Sequence, residues 1–92
     1  MLQIPAELNG YKLRASCSYE GGSGVIFGYK ANSACRSGFS FVVASVNADC
    51  LEFGQWMQGH YFEDEEPAID CYFELADREA RWANMYRVEA IS

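Results

Sequence analysis

The sequence predicts an α+β domain, a small twisted and mainly antiparallel sheet with one packed helix, in the rough order β-β-β-α-β-β. Three observations predict it. Residues 11–20 alternate strictly between apolar and polar side chains. A glycine-rich reversal, Gly21-Gly22-Ser23-Gly24, leads into a second alternating run. Asp49 and Glu52 then form a capping pattern ahead of apolar residues at helical spacing.

The first strand carries Tyr11, Leu13, Ala15, Cys17 and Tyr19 in one phase and Lys12, Arg14, Ser16, Ser18 and Glu20 in the other. A period of two places the first set on one sheet face. Val25, Phe27 and Tyr29 continue after the glycines as the returning strand of an antiparallel hairpin. The glycines lack the GxxxxGK[ST] arrangement and run into a strand, which argues for a turn over a phosphate cradle.

A third strand over residues 39–46 has apolar residues in both phases, Phe39, Phe41 and Val43 against Val42, Ala44 and Val46, and so needs cover on both faces. Asp49 is the expected N-cap of the helix, which uses Cys50, Phe53 and Met57 as its apolar stripe, with Trp56 beside it, and ends near Gly59 or His60. Pro67 bars a helix through Glu63-Asp64-Glu65-Glu66-Pro67, which reads as an exposed acidic loop. Ile69, Cys71, Phe73 and Leu75 alternate with Asp70, Tyr72 and Glu74 as a fourth strand. A fifth is expected within residues 82–91, with a short helix over residues 77–83 as the alternative.

At 92 residues, with 50% hydrophobic and 15% aromatic side chains, the chain supports one core and one domain, residues 1–92. Its net charge of -6 is concentrated: residues 49–79 hold ten acids against Arg78 alone. Such a field repels phosphate backbones and attracts basic surfaces, which argues against direct nucleic-acid binding. The N-terminal residues lack a basic stretch followed by a long apolar one, and the longest apolar run, Phe41-Val42-Val43-Ala44, is too short to span a bilayer. No membrane association and a cytoplasmic location are therefore expected. Cys17, Cys35, Cys50 and Cys71 are dispersed with no CxxC pair, which favours reduced thiols over disulfides or zinc.

Little in the sequence supports catalysis, and no cofactor, metal site or catalytic residue is expected. His60 is the only histidine, with Glu63 and Asp64 nearby but in an expected loop. Asp70 and Glu74, four residues apart on an extended strand, would be roughly 13 Å apart, beyond the separation of a glycosidase pair. The acidic run lacks the ligand spacing of a calcium loop.

What remains is a protein-binding surface. The expected contact residues are the acids Glu52, Glu63, Asp64, Glu65, Glu66, Asp70 and Glu74, with Trp56, Tyr61, Phe62 and Tyr72 as anchors. The expected partner is a basic surface of a larger protein or nucleoprotein complex, and homodimerisation is compatible with the size. In size and charge the chain is similar to small inhibitors such as phage anti-restriction and anti-CRISPR proteins, or to toxin immunity proteins. That likeness is one of class, carried by no motif. The alternatives are a non-enzymatic structural subunit of a larger assembly and a small enzyme using His60 or a cysteine.

Overall fold

The computed structural model describes residues 2–19, 21–30 and 40–91, with side chains described as far as Arg81. Its elements are β1 (Glu7–Leu8), β2 (Tyr11–Tyr19), β3 (Ser23–Tyr29), β4 (Phe41–Asn47), α1 (Ala48–Glu52), β5 (Met57–Phe62) and α2 (Glu65–Ile91). The strands form one antiparallel half-barrel sheet in the order β1-β2-β3-β4-β5. Among the described residues two helices accompany it, which corrects the expected single packed helix and the order β-β-β-α-β-β.

The hairpin of β2 and β3 follows from the alternation and from Gly21 and Gly22, whose φ angles are 95° and 85°. A further hairpin precedes it, because Asn9-Gly10 adopts positive φ at both positions, as a two-residue turn between twisted strands requires. The 32–38 segment and Cys35 lie outside the described residues.

A bulge in β2 changes which side chains share a face. Leu13 pairs with Gly28 and Ala15 with Phe27, so Arg14 is the extra residue. Tyr11 and Leu13 consequently pack with Leu8, Ile26, Val42, Ala44 and Val46, whereas Ala15 and Cys17 pack with Val25, Phe27 and Val43. The expectation that all five apolar residues of β2 lie on one face is thus corrected.

Both sheet faces are covered, as the two apolar phases of β4 require. Leu2, Ile4, Leu51 and Trp56 pack against the first cluster, and Ala68, Ile69, Cys71, Tyr72 and Leu75 of α2 against the second. The helix at residues 65–91 replaces both strands expected there. Pro67 sits in its first turn, where a backbone N–H would have no partner within the helix anyway. Glu65 and Glu66 lie in the same turn, where the helix dipole favours negative charge. Ala68, Tyr72 and Leu75 then recur at helical spacing on the sheet side, and Phe73 faces solvent.

The expected helix from Asp49 shrinks to α1. Asn47, not Asp49, is its N-cap, and its side chain accepts a 2.8 Å hydrogen bond from the Cys50 backbone N–H. The chain leaves the helix at Phe53, which is 76% exposed, and Met57 pairs with Ser45 in β5. The proposed stripe of Cys50, Phe53 and Met57 therefore does not exist.

Arg14 uses its bulged position to tie three elements together. Its guanidinium lies 4.4 Å from the Tyr29 ring centroid and 5.9 Å from that of Phe41, and Nη1 donates to Glu65 Oε1 at 3.1 Å. Both charged groups are about half exposed, so the ion pair adds about 0–1 kcal/mol and mainly fixes where α2 begins.

Candidate docking surface

The acids read from the sequence as one compact surface are divided by the sheet. Glu52 belongs to α1, which packs through Leu51 on the Ile26 face. Asp70 and Glu74 belong to α2, on the opposite face. Glu63 and Asp64 form the turn between β5 and α2. Glu65 is engaged by Arg14, which makes it a structural residue first.

The aromatic candidates divide in the same way. Trp56 packs edge-on against Tyr11 at 5.6 Å between centroids, and its Nε1 donates to Tyr61 Oη at 3.3 Å. This group lies with the Ile26 face. Phe62 of β5 and Tyr72 of α2 are partly buried between the sheet and the helix, with the Tyr72 ring 6.1 Å from that of Phe27. They pack between the helix and the sheet, which leaves less of each ring open to a partner than the exposed Phe73 offers.

The solvent face of α2 does bring groups together. Glu66, Asp70, Phe73, Glu74 and Asp77 recur every three or four residues and are all exposed. Phe73 is 64% exposed among the carboxylates, and Tyr72 packs edge-on against its ring. The sequence reading missed Phe73 because strand alternation placed it beside Cys71 and Leu75. Helical phase was the signal that separates it from them.

Helicity also alters the relation of Asp70 to Glu74. As neighbours at i and i+4 their Cβ atoms lie about 5–6 Å apart, so the estimate of 13 Å is corrected. Both are exposed, on a convex helix surface. Among the described residues no group of three or more His, Cys, Asp and Glu side chains is placed to hold a metal ion. His60 is exposed on β5, opposite Val43. Cys17, Cys50 and Cys71 are free thiols.

Beneath α2, Tyr19 Oη donates to the Ala76 carbonyl at 2.8 Å and lies 3.1 Å from Cys17 Sγ. Burial, then the adjacent Cys17, pushes the Tyr19 and Tyr72 phenols well above their ordinary value of 10.0. Burial and then Glu74 raise the Cys71 thiol above its ordinary 9.0, against a smaller opposing effect of Arg78.

These shifts set the direction of an alkaline effect. The unfolded chain releases these protons near the ordinary values while the folded chain keeps them, so stability is full below that range and falls as pH rises through it. Melting temperature measured under reducing conditions from about pH 8 to about pH 11 should decline with increasing slope. Tyr19→Phe should lower the plateau and flatten the decline; an unchanged slope would show that Tyr19 ionises equally in both states.

No protein-family model, curated protein or solved structure matches this chain.

Proposed function

We propose that this domain is a protein-binding inhibitor that docks through the solvent face of α2 onto a basic surface of a larger protein. The basic surface is one that otherwise holds nucleic-acid phosphates, and the carboxylates stand in for them. The observation that carries the reading is Phe73, 64% exposed and flanked by Glu66, Asp70, Glu74 and Asp77. Carboxylates bring a cationic partner in and select against acidic ones, while a desolvated aromatic ring supplies the anchoring energy. Neither element alone provides both affinity and selectivity. The acidic run that precedes the helix, Glu63 and Asp64, extends the same charge toward β5.

The test combines capture with competition. Wild-type protein, Phe73→Ala and the triple variant Glu66→Gln/Asp70→Asn/Glu74→Gln serve as baits in nuclease-treated lysate, and each captured protein is assayed for nucleic-acid binding with and without the domain. Wild type should retain a partner whose nucleic-acid binding it suppresses. Phe73→Ala should weaken retention by about tenfold, the cost of losing a hot-spot side chain. The triple variant should weaken it too, with a flatter dependence on salt. Equal retention by all three baits would remove this face from the interface. Retention without suppression would favour a structural subunit.

A further inference from the structure

Helix α2 is charge-segregated along its length. Residues 65–77 carry Glu65, Glu66, Asp70, Glu74 and Asp77 with no cation, whereas residues 78–91 carry Arg78, Arg81 and Arg87 against Glu79 and Glu89. Two such helices side by side repel when parallel, and when antiparallel set the acidic half of each beside the basic half of the other. Phe73 at 64%, and the Asp77 and Arg81 side chains at 61% and 78%, are all well exposed. Asp77 and Arg81 already attract one another along the helix, at 3.0 Å.

The shape leaves room for a neighbour. An α-helix of 27 residues is about 40 Å long, whereas the longest strand, of nine residues, spans roughly 30 Å. The molecule measures 52 × 27 × 17 Å, and the sheet lies on one side of α2 only. A second helix can therefore lie along the outer side without meeting the sheet.

We propose that α2 pairs antiparallel with α2 of a second copy of this chain, about a twofold axis midway between Asp77 and Arg81. In that register each Asp77 lies beside Arg81 of the second copy, twice by symmetry, and Phe73, one turn earlier, enters the seam. The result is a four-layered dimer, sheet-helix-helix-sheet. Pairing covers the face proposed for partner docking, so the dimer is a stored form from which a partner draws monomer. The inference does not rest on the partner reading, since self-pairing is measured on the purified protein alone.

Sedimentation equilibrium of wild type, Asp77→Arg, Arg81→Asp and an equimolar mixture of the two variants tests it, with circular dichroism confirming that each retains its helix. Wild type should dimerise with rising concentration, and each single variant should do so about tenfold more weakly, because like charges then meet across the axis. The mixture should recover dimers of wild-type strength. Within either variant positions 77 and 81 carry the same sign, so only attraction between chains can produce the recovery. Phe73→Ala should also weaken the dimer. A wild type that stays monomeric up to its solubility limit, or a mixture no tighter than its components, overturns the inference. Partner capture unaffected by such a result would leave the docking proposal standing; loss of capture with dimerisation intact would sink docking alone.

Discussion

Ile26→Ala is expected to remove a large share of the stability of the fold. Ile26 is fully buried at the centre of the face formed with Leu8, Val42, Ala44 and Val46. Replacing a large aliphatic residue by alanine in such a site costs about 2–5 kcal/mol through lost transfer energy and the cavity left behind. Stability for a chain of this length is on the order of 5–14 kcal/mol in total. The cover on this side that lies outside the sheet consists of Leu2, Ile4, Leu51 and Trp56, drawn from extended chain, the short helix α1 and loop. Urea denaturation should show the unfolding free energy falling by that amount, and the midpoint falling with it, with Ile26→Val costing about 0.5–1.5 kcal/mol as the graded control. A loss below about 1 kcal/mol for Ile26→Ala would mean that this face is not a packed core.

The same face shows how far the sequence could be read. Apolar residues in both phases of β4 required cover on both sides, and both sides are covered. The alternation in residues 11–20 and the glycines after it announced a hairpin, which is present. Nothing in the alternation marked Arg14 as an inserted residue, because a bulge flips the phase without breaking the pattern when each face has apolar side chains to receive. The Asn9-Gly10 dipeptide was a legible turn signal, and the strand it serves is only two residues long.

Residues 65–91 were misread for a specific reason. Ile69, Cys71, Phe73 and Leu75 fit a period of two, while Ala68, Tyr72 and Leu75 fit a helical one, and a window this short does not separate them. Ala68, fully buried, contributes its core contact through a side chain too small to register as a hydrophobic signal. Pro67 is a barrier only inside a helix, and the first helical turn accommodates it. The candidate surface inherited the error: the acids were correctly seen as concentrated, but their distribution over two faces and the exposure of Phe73 depend on the helix. Glu65 is paired with Arg14, whose position is set by the bulge.

Gly24→Val should be comparably disruptive, and for a reason unrelated to the turn that the glycine cluster suggests. Gly24 lies within β3, paired with Ser18 and Val46, and is buried. A Cβ there would stand 2.7 Å from the Cys17 carbonyl oxygen, 3.3 Å from Leu2 Cδ1 and 3.4 Å from Val46 Cγ2. Leu2 can rotate away, but the Cys17 carbonyl belongs to the ladder between β2 and β3 and yields only if the strands shift. Overpacking of this kind costs about 1–3 kcal/mol, and valine adds two methyl groups to the collision. Gly24→Ala isolates the first atom, and the double variant Gly24→Ala/Leu2→Ala separates its two causes once the cost of Leu2→Ala alone is subtracted. If the backbone contact dominates, removing Leu2 recovers only a minor part of the loss and the β2–β3 amide protons exchange faster. Full recovery would place the constraint in the N-terminal segment, making Gly24 a seat for Leu2 and leaving the ladder indifferent to the added carbon.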